Sequence, residues 1–188
     1  MLKKRMNLSL LNLVNFFETV GKLKATARSG WVEAGIQKPE SVADHTFRTS
    51  IICMIYSDLE GLDELRVLRM ALIHDLPEAI TGDLTPLKKT RGSKKKENEA
   101  MNQILSLLPE EQREEYLAIW NEYQRGETRE AKAVRQIDKL EMALQAKEYE
   151  NTRLPRQDLK RFMSSAEKVI EWSQLKNLLS FIQGETPQ

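Results

Sequence analysis

The sequence predicts an all-α fold, a single-domain helical bundle of seven or so helices. Three observations point there. Apolar residues recur at helical spacing, as in Leu10, Leu13, Val14 and Phe17 near the start and Val134, Ile137, Leu140 and Leu144 late in the chain. No segment carries the strict alternation of a half-buried strand. The breaks between periodic segments fall at Gly, Pro or N-capping residues, and there is no internal repeat. At 188 residues the chain suits one domain with a sizeable core, spanning 1–188. The part from about 41 to 150 holds the chemistry, and helices within 155–183 pack on it. An apolar content of 40% with 30% charged residues fits helices with charged outer faces.

The first helix is expected over Leu8 to Leu23, weakened at its end by Gly21. The run is interrupted by Asn12 and Asn15 and has no small-residue cleavage site after it, so it is not read as a signal peptide. Ala25 to Glu40 loses the periodicity and reads as a loop carrying Arg28 and Trp31. Trp31 is either part of a binding segment or a plug folded back on the core. Ser41 is a plausible N-cap for a helix through Tyr56, and Asp63 for the next. That next helix, Leu65 to Ile73, is apolar nearly all round and is expected to be central. Pro77 should break it just after His74-Asp75. Lys88 to Lys96 is a basic run, read as a solvated loop or as an electropositive flap. Helices follow over Asn98 to Leu108, Pro109 to Tyr123 with Gly126 as its stop, and Thr128 to Glu150. Pro155 interrupts, and a last helix is expected over Ser165 to Ile182.

Bulk properties exclude several function classes. A net charge of +1 provides no global field for a polyanion, so nucleic acid is not expected as a partner. No run approaches the roughly 20 apolar residues of a membrane span. The single cysteine, Cys53, sits in an apolar run and suits a reducing, cytoplasmic compartment better than nucleophilic chemistry.

The stretch His74-Asp75-Leu76-Pro77-Glu78-Ala79-Ile80-Thr81-Gly82-Asp83 concentrates metal-competent groups at the end of an apolar helix. The other histidine of the chain, His45, lies one turn into its own helix, and Asp138 falls within a third apolar pattern. Buried carboxylates are costly unless paired or bound to metal. Two imidazoles and two carboxylates make a nitrogen and hard-oxygen ligand set suited to a first-row divalent ion with positions left open. Such an ion could polarise a phosphoryl or carbonyl oxygen. Glu78 and Asp83 are then candidates for proton transfer or substrate orientation, or else ordinary turn acids.

His45, the His74-Asp75 doublet and Asp138 together resemble the H…HD…D signature of the HD-domain metal-dependent phosphohydrolases. The longer run HDLPEAITGDLTPLK, with RSGW…KPESVADHTFR before it and QIDKLEMALQAKEYE after it, is similar to the 5′-deoxynucleotidase subfamily. The likeness lies nearest the branch called HD domain-containing protein 2 and spans about Leu8 to Glu150. It implies the HD fold and hydrolysis of deoxyribonucleoside 5′-monophosphates. It implies one divalent ion on His45, His74, Asp75 and Asp138, with cobalt or manganese ahead of magnesium, zinc, nickel or iron(II). Glu78 would assist the attacking water or the leaving 5′-oxygen, and Asp83 would contact the sugar. Arg28 and Trp31 would meet phosphate and sugar, with Lys88 as a further contact. Two residues separate Arg28 from Trp31 here, whereas the pair is adjacent in bacterial members, which leaves Lys22 or Lys24 as an alternative phosphate ligand. Members are usually homodimers, and apolar surface on the first or last helix could supply the interface. Two other readings remain: an HD phosphodiesterase or pyrophosphohydrolase on other nucleotides, and a metal-stabilised helical regulatory protein without catalysis.

Overall fold

The structure, a computed structural model, describes residues 2–151 and 159–185. Pro155 and its expected interruption lie outside the described residues. The described chain is all-α, and its one β-type pairing is the isolated antiparallel bridge between Ala27 and Ser41. The first half holds α1 (Leu2–Gly21), a 3-10 turn (Lys22–Lys24), α2 (Ser29–Glu33), α3 (Val42–Glu60), α4 (Glu64–Ile73) and α5 (Glu78–Thr81). The second half holds α6 (Ser93–Leu105), α7 (Glu110–Arg125), α8 (Arg129–Asn151), α9 (Lys160–Val169) and α10 (Ser173–Gln183).

The caps sit where residue chemistry demands them. Ser41 and Asp44 form a reciprocal capping box at the start of α3, and the Asp63 side chain accepts from the Arg66 N–H at 3.0 Å to start α4. Gly126 ends α7 in the left-handed region at φ 69. α4 stops at Ile73, one residue before the His-Asp pair rather than after it, and Pro77 becomes the N-cap of the short α5.

The centre of the bundle is α8 rather than α4. Ala131, Ala133, Val134, Ile137, Leu140, Ala143 and Ala146 bury one side of α8 against α3, α4, α7, α9 and α10. Four of those residues are alanines, which let neighbouring helices approach closely while adding little to an apolar pattern. α4 buries Val67, Met70, Ala71 and Ile73 but leaves Leu65 and Leu72 about half exposed.

Three other expectations are corrected. α2 forms inside the predicted loop, and α6 begins at Ser93, because the lysine and glutamate run that resembled a loop is made of good helix formers. The expected last helix is two helices. Its break at Ile170–Trp172 is held by Gln136 of α8, whose side-chain oxygen accepts from the Glu171 and Trp172 N–H groups at 2.7 and 3.0 Å. No described helix is long and apolar enough to cross a membrane.

Candidate active site

Two long helices and one helix end deliver the metal-competent groups to one point. α3 contributes His45, the end of α4 contributes His74 and Asp75, and α8 contributes Asp138. One ligand atom from each of His45, His74 and Asp138 lies within 4.8 Å of the others. Asp75 Oδ2 stands 3.2 Å from His74 Nε2 and 3.8 Å from His45 Nε2. His45 Nε2 is 3.1 Å from Asp138 Oδ1.

The hydrogen bonds around each imidazole decide which nitrogen is free. His74 Nδ1 faces the Ala71 carbonyl oxygen at 2.6 Å, and a carbonyl only accepts, so the ring proton sits on Nδ1. His74 Nε2 is then a buried lone pair, and it has no hydrogen-bond partner. His45 Nδ1 donates to Glu141, so its Nε2 is the nitrogen that faces Asp138 and Asp75. Two imidazole Nε2 atoms and two carboxylates therefore converge on one point. That arrangement fits a divalent ion bound through Nε2 of both histidines, with Asp75 and Asp138 supplying oxygen.

Glu141 is the residue that sequence reasoning missed. It is fully buried, and its second oxygen accepts from Arg48 Nε at 2.8 Å. Arg48 in turn holds Glu148 at 2.8 Å and Gln145 at 2.6 Å. The available signal was a carboxylate three positions after Asp138, on the same face of the helix one turn on. Glu40 also lies near this pair. Because the His45 Nδ1–H is already donated, that group supports His45 rather than forming a second ion site.

Above the donors opens a cavity of about 670 Å³, lined by Arg28, Asp75, Glu78, Lys89, Tyr123 and Asp138 among others. Arg28 Nη1 lies 3.2 Å from Asp75 Oδ2 and 4.0 Å from Asp83 Oδ1. Burial opposes its charge, but Asp75, Asp138 and Asp83 keep it protonated. Burial likewise opposes the Asp138 carboxylate, while Lys139, at 2.9 Å, and His45 hold it well below the ordinary range. Burial, reinforced by Asp75 and Asp83, pushes Glu78 up to about 10, and its Oε2 is buried without a partner. A bound dication would reverse part of that push.

The remaining predicted residues fall in distinct places. Asp83 accepts the Ser29 backbone N–H through Oδ2, and its own carbonyl accepts from Ser29 Oγ at 2.7 Å. It thereby pins the start of α2 and the neighbouring Arg28. Trp31 is 1% exposed and forms the centre of a small second core with Ile36, Met142, Leu159 and Phe162. Its Nε1 donates to Glu40 at 2.9 Å and its ring packs at a tilt against Phe162 with centroids 4.0 Å apart, so the plug reading describes it, while the residue also lines the cavity. Lys88 is exposed and paired with Glu33 at 3.0 Å, whereas its neighbour Lys89 lines the cavity and pairs with Glu97 at 2.9 Å. Lys22 and Lys24 are exposed on the 3-10 turn and do not line the cavity.

Comparison with known proteins agrees with this geometry. A family model described as HD domain matches residues 20–176. A human protein named 5′-deoxynucleotidase HDDC2 is 39% identical over 93% of this chain and 86% of its own length. The Schizosaccharomyces pombe protein named 5′-deoxynucleotidase hdd1 is 38% identical over 95% of this chain and 92% of its own. The crystal structure of PH0347 protein from Pyrococcus horikoshii superimposes with a TM-score of 0.77 at 30% identity, covering 91% of this chain and 96% of that one. With His45, His74 and Asp138 converging beside a cavity that Asp75 and Asp138 line, and with this likeness over most of its length, the chain belongs to the HD-domain family, and those three residues are placed to hold a divalent metal ion.

Proposed function

We propose that the chain is a metal-dependent 5′-deoxynucleotidase that hydrolyses deoxyribonucleoside 5′-monophosphates to deoxynucleoside and phosphate. The observation that carries the reading is the unpartnered buried Nε2 of His74, which converges with His45 Nε2, Asp75 and Asp138 beside a cavity that also holds Arg28. The names carried by the human and fission yeast relatives support the same substrate class.

The proposed ligands are His45, His74, Asp75 and Asp138, and the nitrogen and oxygen donors suit cobalt or manganese. When bound, the ion supplies charge that polarises a phosphoryl oxygen and acidifies water near neutral pH. Arg28, kept charged and fastened by Asp75 and Asp83, offsets charge on the phosphate. Glu78, with an unpartnered buried oxygen, exchanges a proton with the attacking water or the leaving 5′-oxygen. Asp83 keeps Arg28 in register and borders the sugar, with Trp31 as the apolar wall behind it and Lys88 at the rim. Selection of deoxyribose comes from packing against the 2′ carbon. We assign the protein to the cytoplasm and to a homodimer. The exposed Leu10, Leu11, Val14 and Phe17 of α1 form the apolar face through which two copies pair, which light scattering of the purified chain checks.

The direct test is phosphate release from a nucleotide panel by protein loaded with Mn²⁺ or Co²⁺. The proposal expects turnover of dAMP, dTMP or dCMP and little from triphosphates or cyclic nucleotides. The opposite pattern overturns it.

A further inference from the structure

We infer that the Tyr123 hydroxyl is a direct substrate contact that donates a hydrogen bond to a phosphoryl oxygen of the bound monoester. The inference rests on the phosphomonoester reading above.

Tyr123 stands in the last turn of α7, and its ring is held from two sides. The Arg135 guanidinium donates to the carbonyls of Tyr123 and Gln124 at 2.8 and 2.9 Å and lies 5.5 Å from the ring centroid. Gly126 makes room for that guanidinium, since a Cβ there would collide with it. The ring also meets His74 edge-on at 5.8 Å, so it packs against an imidazole of the metal floor. A side chain fixed this way loses little further freedom when it takes up a ligand.

The ring lines the same cavity as Asp75, Glu78 and Asp138. Among the described residues its hydroxyl takes no hydrogen bond. A packed tyrosine ordinarily finds a partner for its O–H. Tyr149 does, accepting from the Glu40 N–H at 2.9 Å. The Tyr56 hydroxyl also lacks one, but Tyr56 lies in the core and does not line this cavity.

The donors and acceptors around the cavity point to the missing partner. Asp75, Glu78, Asp83 and Asp138 offer oxygens, so this region is crowded with acceptors. Most cations that line it already hold carboxylates: Arg28 holds Asp75, Lys139 holds Asp138, Lys89 holds Glu97 and Arg161 lies 4.0 Å from Glu33, while Lys168 is exposed. The phenol is a donor engaged by none of these acids. A phosphate monoester is an anion rich in acceptor oxygens, and a neutral donor binds it without adding to the charge already balanced on the floor.

The test compares the full-length wild type with Tyr123→Phe, which keeps the ring and removes only the oxygen. Both are loaded with Mn²⁺ and assayed for phosphate release from dAMP, for inhibition by inorganic phosphate, for Mn²⁺ affinity by calorimetry and for thermal midpoint. The inference expects kcat/KM to fall about 10- to 100-fold and inorganic phosphate to inhibit about tenfold more weakly, with Mn²⁺ affinity and midpoint unchanged. Unchanged kinetics and phosphate inhibition overturn it. A fall in Mn²⁺ affinity overturns it by placing the hydroxyl among the metal donors, and a fall in midpoint does so by making it structural. Should the wild type itself leave dAMP intact, the nucleotidase reading fails. Calorimetric titration of inorganic phosphate into both Mn²⁺-loaded proteins then still decides the role of Tyr123.

Discussion

The floor of the cavity and its loop wall are built on different principles. The floor takes His45 from α3 and Asp138 from α8, two long helices whose registers are fixed by the core on either side of them. The wall takes Arg28 and Trp31 from a segment of 16 residues, 25–40, that has little regular structure of its own. It is held largely by distant partners, Asp83 on the Ser29 N–H and Phe162 and Tyr149 on the Trp31 ring, with Glu40 at its own end accepting from the Trp31 indole. Helix packing therefore positions the candidate metal donors, while side chains scattered along the chain position the loop wall of the cavity. Damage to the floor should remove chemistry and spare the fold, whereas damage to the wall should cost stability as well.

The largest effect is expected at the floor. Asp138→Ala removes an oxygen donor and should weaken divalent-ion affinity by more than about 100-fold, since even residues that only orient a ligand cost 10- to 100-fold. Its helix should remain, because α8 is anchored by Val134, Ile137 and Leu140. Calorimetry with Mn²⁺ and circular dichroism check both halves. Retained affinity would remove Asp138 from the ligand set.

Glu78→Ala separates proton transfer from ion binding. Turnover of dAMP should fall by about 10²- to 10⁴-fold while Mn²⁺ affinity holds. Equal loss of both would make Glu78 a ligand instead.

Glu141→Gln sharpens the boundary of the floor. The amide still fills the buried space but no longer offers a carboxylate to His45 Nδ1–H and Arg48. Ion affinity should fall about 10- to 100-fold, and the loss should be seen in Mn²⁺ titrations made without any substrate.

At the wall, Trp31→Ala should destabilise the protein by about 3–5 kcal/mol, as expected for truncating a fully packed tryptophan. Denaturant unfolding measures this. If stability is unchanged and only KM rises, the wall is a binding surface with no structural part.

The same contrast explains what could be read from the chain. The convergence of His45, His74 and Asp138 was legible because an imidazole or carboxylate within an apolar helical pattern is conspicuous. Their chemistry needs those residue types whatever the surroundings. The caps at Ser41 and Asp63 and the stop at Gly126 were legible because they are local. The centrality of α8 was hidden by its alanines, which bury a face without a strong apolar pattern. The break between α9 and α10 depends on the Gln136 side chain, 35 residues from Glu171, and no local pattern announces it. Trp31 was ambiguous for the same reason. Whether it plugs or binds depends on Phe162 and Tyr149, which only the folded chain brings to it.

The central claim is that one divalent ion on the His45, His74, Asp75 and Asp138 floor is required for removal of the 5′-phosphate. The most direct measurement is dAMP hydrolysis by chelator-stripped protein during stepwise return of Mn²⁺, with bound ion counted in parallel. The account predicts no release without the ion and activity that rises in proportion to occupancy, saturating at one ion per chain. Full activity in the stripped protein, or saturation without the floor being filled, as in an Asp138→Ala variant that still turns over, would contradict it.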